Sequence, residues 1–231
     1  YAEVTGVELS ACPKRIESSE GEFTADAVIL ATGASPRELG LPGEGALRGR
    51  GVAYCATCDG MFFKDKTVAV AGGGNTAVED ALYLSSKKVW LIHRRDRLRA
   101  SAVYHRALEE QGVEIIWNTR ITVLRREKRL TGLELEDVNT GARRELACDG
   151  LFVAVGRVPD TALFAGQVDM DGAGYVAADE STRTSIPGVF AVGDVRTKAV
   201  RQIVTAAADG AVAAHYAEEY LLSLAEREGS A

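Results

Sequence analysis

Thr67-Val-Ala-Val-Ala-Gly72-Gly-Gly-Asn-Thr-Ala77 is a short apolar run that breaks into three glycines and then into a segment with helical apolar spacing. Thr67–Ala71 reads as a buried strand. Asn75–Ser86, with Ala77, Ala81, Leu82 and Leu84 at helical spacing, reads as the helix after it. Gly72–Ala77 then spells G-x-G-x-x-A at a strand-to-helix turn, the one context in which that pattern has physical meaning. Gly72 is expected to permit the tight turn, Gly74 to let a pyrophosphate reach the backbone, and Ala77 to let helix pack on strand. Amides at the helix start, around Asn75 and Thr76, would receive the phosphates. The plain alternative is a glycine-rich turn with no ligand.

The next strand, Val89–His93, sharpens this reading. A dinucleotide site that takes NAD places an acid about 20 residues beyond the first glycine, to hold the ribose 2′-hydroxyl. Here the strand ends in His93-Arg94-Arg95, with Arg97 and Arg99 following. Such a cluster suits a 2′-phosphate, so NADP is expected over NAD, with His93, Arg94, Arg95 and Arg99 in the site. A solvated basic loop would be the reading without the glycine turn upstream.

Segments on either side fit an α/β chain. Ala27–Ala31 is read as a buried strand closed by Gly33, and Ser35–Gly51 as a loop rich in Gly and Pro. Ser101–Gln111 reads as a helix ended by Gly112, and Val113–Trp117 as a strand. From Ile121 the apolar period becomes two, through Ile121/Val123, Leu133/Leu135 and Leu146/Cys148. Turns are expected at Thr131-Gly132 and Asn139-Thr140-Gly141, a β-meander. Leu151–Val155 and Gly188–Asp194 read as buried strands, and Arg201–Leu224 as a long helix rich in alanine. Alternation of strands and helices favours a parallel sheet.

Composition sets the bounds. The 231 residues are 46% hydrophobic, enough for one large or two small domains. A net charge of −6 argues against a nucleic-acid footprint, and no apolar stretch approaches the ~20 residues that span a bilayer. Four cysteines are too few for a disulfide-stapled secreted scaffold, and no signal-peptide pattern opens the chain, so a cytoplasmic location is expected.

Two of those cysteines form Cys55-Ala-Thr-Cys58, followed by Asp59-Gly60. Thiols at this spacing can close a small disulfide ring and accept two electrons, and Asp59 is placed to move the accompanying proton. Zinc would need a second pair, which Cys12 and Cys148 do not form, so no metal is expected. A nicotinamide delivers a hydride and a disulfide accepts electrons at sulfur; a flavin commonly mediates, which adds FAD. Gly193-Asp194 at a strand end could hold a cofactor hydroxyl. Arg201-Gln202-Ile203, opening a helix, could stabilise charge on a reduced flavin.

Taken in order, Cys55-Ala-Thr-Cys-Asp-Gly60, Gly72-Gly-Gly-Asn-Thr-Ala-Val-Glu79, His93-Arg-Arg95 with Arg99, and Gly188-Val-Phe-Ala-Val-Gly-Asp194 resemble the low-molecular-weight thioredoxin reductases, from about Glu22 onward. The resemblance implies a flavoprotein with two dinucleotide-binding domains, its NADPH domain inserted into a split FAD domain. That divides this chain into 1–38, 39–163 and 164–231. It also implies that Cys58 faces the flavin, Cys55 exchanges with thioredoxin, Asp59 is the acid/base, Arg94, Arg95 and Arg99 hold the 2′-phosphate, and Gly193, Asp194 and Arg201–Ile203 hold FAD. The family is homodimeric. Its own opening glycine-turn unit for FAD is not found in these residues, which places Tyr1 roughly a hundred residues into the pattern. NADP binding is therefore expected to persist in this stretch of chain and FAD binding to be weak or absent. Between Tyr83 and Val89 the chain is slightly shorter than the pattern. The flavoprotein subunit of an alkyl hydroperoxide reductase, and a non-catalytic NADP-binding fragment, are the alternative functions.

Overall fold

The computed structural model describes residues 1–84 and 88–228. The chain forms two compact units, Pro36–Arg157 and Tyr1–Ser35 with Val158–Ala231. It crosses between them twice, through the strands Ala34–Pro36 and Arg157–Pro159, which pair with each other.

Pro36–Arg157 is built on a five-stranded parallel sheet, in the order Val52–Ala53, Gly150–Ala154, Thr67–Gly72, Lys88–Ile92, Glu114–Ile116. The two-residue period of a strand explains how one run serves two cores. Val68 and Val70 point into a cluster with Val78, Leu91, Leu108 and Phe152, on the side covered by the helices Asn75–Tyr83 and Val103–Glu110. Ala69 and Ala71 point the other way, against Leu124, Leu133 and Leu135. Both faces are buried, which is why Thr67–Ala71 is continuously apolar rather than alternating.

The second cover is an antiparallel meander of Thr119–Arg126, Leu130–Asp137 and Arg143–Ala147. Its fully buried Leu133 and Leu135 each contribute about 1.5–3 kcal/mol of burial. One expected turn is corrected. Thr131-Gly132 lies inside the middle strand, and the reversal falls at Glu127–Arg129, where the Glu127 amide donates to the Arg129 carbonyl at 3.0 Å. Gly132 is needed for close approach: a Cβ there would stand 2.8 Å from the Leu146 carbonyl oxygen.

The other unit holds an antiparallel sheet of Val4–Glu8, Lys14–Ser18 and Gly21–Ala25, and a parallel pair of Val28–Leu30 with Val189–Ala191. Its core gathers Leu9, Leu30, Phe164, Val176, Val189 and Ala191. The run Ala27–Ala31, expected to be buried, is only partly so: Leu30 is buried but Ile29 is 43% exposed, because the strand has one neighbour and one covered face. The long helix begins at Ile203, after Arg201 and Gln202, and runs to Glu228. The helix Asn75–Tyr83 ends with Leu84 as its cap. Its expected continuation to Ser86, and part of the shortened stretch before Val89, lie outside the described residues.

Candidate functional site

The sheet delivers the glycine turn at its carboxyl edge. Gly72 ends its strand and Gly74 is the N-cap of the helix Asn75–Tyr83. Gly72 is not in the left-handed region, so what the structure requires of it is space. A Cβ at Gly72 would stand 2.5 Å from both the Ala77 Cβ and the Ala154 carbonyl oxygen, so glycine is required there for helix, strand and neighbour to meet. Gly74 is different: no atom lies within 4 Å of the Cβ it lacks, and no side chain caps the helix. The first-turn amides at Asn75 and Thr76, both exposed, are left for an anionic ligand.

The basic loop after Lys88–Ile92 folds back onto this turn. The amides of Arg99 and Ala100 both donate to the Gly73 carbonyl, at 2.7 and 3.2 Å, and the Ser101 amide donates to Asn75 Oδ1 at 3.1 Å. Arg94, Arg95, Arg97 and Arg99 are exposed, with Asp96, an acid the sequence reading passed over, among them. His93 faces inward, 6% exposed, with Nε2 donating to the Arg97 carbonyl at 3.0 Å. Burial lowers its pKa against the opposing backbone hydrogen bonds to Arg97 and Gly72, and the charges of Arg95 and Arg99 add to the lowering. The geometry fits a dinucleotide: amides and open space for a pyrophosphate, and guanidinium groups for a further phosphate.

In the same unit, Val52–Ala53 leads into the dithiol. Cys55 and Cys58 are joined in a disulfide across the single-turn helix Ala56–Asp59. Cys55 is the N-cap, its sulfur accepting the Cys58 amide at 3.2 Å and lying 3.2 Å from the Thr57 hydroxyl. Cys55 is half-buried and Cys58 exposed; Asp59 is half-buried at the helix end. Behind the helix, burial pushes the Asp80 carboxyl up to about 6, with the Ala56 amide pulling the other way. Met61 and Phe62 follow the dithiol and are exposed large apolar side chains that the sequence reading missed. The signal was there, in two bulky apolar residues directly after Gly60. Cys148 is buried, which raises its thiol to about 12 and leaves it inert; Cys12 is a free, exposed thiol.

Tyr1–Ser35 with Val158–Ala231 carries the residues expected at the flavin. Gly193 adopts φ +71° after the buried strand Val189–Ala191, a conformation that favours glycine, and donates its amide to Asp209 Oδ2 at 2.8 Å. Asp194 follows, half-buried. Arg201 lies over the Tyr175 ring at 4.0 Å, and its buried Nε has no hydrogen-bond partner. Gln202 and Ile203 are exposed, Ile203 at 90%. A buried donor awaiting an acceptor, beside an exposed apolar side chain, suits a large planar polar cofactor.

Asp209 itself was not foreseen. Its carboxylate takes the Arg196 Nε and Nη2 at 2.9 Å each and the Lys198 Nζ at 2.7 Å. The clue in the sequence is a lone acid within the alanine-rich stretch Ala206–Ala214.

Comparison with known proteins places these features in context. Residues 2–210 match the family described as pyridine nucleotide-disulphide oxidoreductase. A thioredoxin reductase of Streptomyces clavuligerus is 50% identical, over 98% of this chain and 72% of its own length. One from Treponema pallidum is 46% identical, over 97% and 74%. A crystal structure of thioredoxin reductase from Streptococcus pyogenes superposes with a TM-score of 0.84 at 41% identity, covering 96% of this chain and 74% of that one. Among the described residues, no helix is long and apolar enough to cross a membrane.

Proposed function

Since this chain belongs to the pyridine nucleotide-disulphide oxidoreductase family and is an FAD- and NADP-dependent oxidoreductase, we propose that it reduces the disulfide of a thioredoxin, with Cys55 and Cys58 as its redox pair. The observation that carries this reading is the Cys55–Cys58 disulfide, borne by the same unit as the glycine turn and the arginine loop. The unit Pro36–Arg157 would hold NADPH: amides at Gly74–Thr76 for the pyrophosphate, and Arg94, Arg95 and Arg99 for the 2′-phosphate. Gly193, Asp194, Arg201, Gln202 and Ile203 would hold FAD. When bound, the flavin supplies the conversion between a nicotinamide hydride and thiol electrons.

The dithiol then does the exchange. Cys55 as thiolate attacks one sulfur of the partner disulfide, that S–S bond breaks, and Asp59 supplies the proton taken by the departing thiolate. Cys58 attacks the Cys55 sulfur, releasing the partner's second thiol and restoring the Cys55–Cys58 disulfide. The hydrogen bond from the Cys58 amide and the nearby Thr57 hydroxyl favour negative charge on the Cys55 sulfur. The exposed Met61 and Phe62 offer a protein partner an apolar foothold beside the sulfurs. Reduction of a purified thioredoxin by NADPH, in the presence of FAD, tests the reading; absence of partner thiols would end it.

NADPH is expected to bind more tightly than NADH. Replacing Arg94 and Arg95 by Ala should remove charge-assisted bonds of about 1.5–3 kcal/mol each at most, discounted because both side chains are exposed. Titration calorimetry with both nucleotides checks this, and equal affinities in the unsubstituted protein would refute it.

A homodimer completes the reading. Val200 and Val204 are large exposed apolar side chains, continued along the helix by exposed Ala207, Ala208 and Ala211. A second copy of the chain is the occupant this surface is proposed to take. Sedimentation equilibrium should give twice the chain mass, and Val204→Lys should shift it toward one; a monomer at micromolar concentration contradicts the proposal.

A further inference from the structure

His93 directly follows the strand Lys88–Ile92 and opens the arginine loop, and the sequence groups it with Arg94 and Arg95. The structure separates it from them. Those arginines are exposed, whereas His93 is 6% exposed and its ring lies under the glycine turn. A Cβ built on Gly73 would stand 2.2 Å from two ring atoms, so the ring occupies the space that the missing side chain leaves. Trp117 packs edge-on from the other side, ring centres 6.3 Å apart.

Several hydrogen bonds fix the loop around this ring. His93 Nε2 meets the Arg97 carbonyl at 3.0 Å; a carbonyl only accepts, so Nε2 carries the proton. The Arg99 amide donates to the Gly73 carbonyl at 2.7 Å, and the Asn118 amide donates to the Arg95 carbonyl at 3.2 Å. The imidazole thus touches the loop that carries the guanidinium groups and the turn that carries the amides.

We propose that His93 is a positioning residue rather than a phosphate ligand: a buried strut that sets the arginine loop at a fixed offset from the glycine turn, and so couples the 2′-phosphate subsite to the pyrophosphate subsite. The inference rests on the NADP reading above and deepens it. Its physical content is geometric. Guanidinium groups on a loose loop bind a phosphate at an entropic cost, and a single internal bond to the Arg97 carbonyl at the loop's centre lowers that cost. Burial lowers the pKa of the ring, its backbone hydrogen bonds to Arg97 and Gly72 oppose this, and the charges of Arg95 and Arg99 add to the lowering.

The test measures binding of two probes to the whole chain, 2′,5′-ADP and 5′-AMP, which differ by the 2′-phosphate. His93→Leu keeps the bulk and loses the donor; His93→Gln places an amide N–H close to the position of Nε2. The Leu variant is expected to lose about tenfold of the preference for 2′,5′-ADP, the upper end of the worth of one neutral hydrogen bond, while its 5′-AMP affinity is unchanged. The Gln variant is expected to recover most of that preference. Full preference retained in the Leu variant would overturn the strut. So would a Gln variant no better than Leu, which would mean that the imidazole itself is required. Loss of both affinities together with a lowered melting temperature in the Leu variant would show general structural damage and would also overturn it. An unsubstituted protein that does not distinguish the probes would remove the NADP reading instead, and that arm is read first.

Discussion

Serine at either Cys55 or Cys58 is expected to abolish reduction of thioredoxin outright, while nucleotide binding stays within about twofold of the unsubstituted protein, the change expected when no contact is removed. One thiol cannot form the internal disulfide that carries two electrons, so no partial activity survives. The two variants should nevertheless differ. Cys55 is the N-cap of its helix, accepting the Cys58 amide and lying beside the Thr57 hydroxyl, which makes it the better thiolate. The Cys58→Ser protein should therefore trap thioredoxin as a mixed disulfide through Cys55, visible on a non-reducing gel and by mass. Exposure pulls the other way, because Cys58 is the more exposed residue. Trapping by Cys55→Ser alone would reverse the assignment.

The second large effect concerns stability. Removing the Asp209 carboxylate by Asp209→Ala is expected to cost about 3–5 kcal/mol, because it leaves two buried cations unpaired and the Gly193 amide without an acceptor. Urea unfolding, followed by a probe in this unit, measures it; a loss below about 1 kcal/mol would make the cluster no better than an exposed pair. The same carboxylate predicts a pH response. Burial pushes its pKa up, but Arg196, Lys198 and the Gly193 amide prevail and hold it at about 2. A folded-state pKa below the unfolded value means that the contribution is fully present above about pH 4 and is lost as pH falls toward 2. Flavin retention should weaken with it, since Gly193 and Asp194 sit on the turn that Asp209 holds.

What the sequence disclosed depended on range. The strand Thr67–Gly72, the helix after it and the dithiol are encoded by adjacent residues, through apolar period, glycine and spacing, and all three are in the structure. Gly132 reads as a turn former because composition cannot distinguish a glycine that bends the chain from one that admits a neighbour. It is of the second kind, pressed by Leu146 from the adjacent strand, and Gly72, at the strand end, is likewise pressed by Ala154. The true reversal at Glu127–Arg129 has neither glycine nor proline and gave no signal. The Asp209 cluster joins residues from three segments, at 193, 196–198 and 209, and only tertiary packing assembles it. His93 shares its sequence context with Arg94, yet the strand stops at Ile92 and the chain bends away after His93, which leaves the ring packed beneath Gly73 and Arg94 in the exposed loop.

The paired crossings at Ala34–Pro36 and Arg157–Pro159 bear on the order of assembly. Val28–Leu30 cannot meet Val189–Ala191 until all of Pro36–Arg157 has been synthesised. Closing so long a loop from an open chain carries an entropic penalty that grows as (3/2)RT ln n, about 0.6 kcal/mol for each doubling. If Pro36–Arg157 condenses first, with its own parallel sheet and two cores, its entry and exit strands are brought side by side and most of that loop disappears as a kinetic obstacle. The nucleotide unit then acts as a folding template for the chain that flanks it.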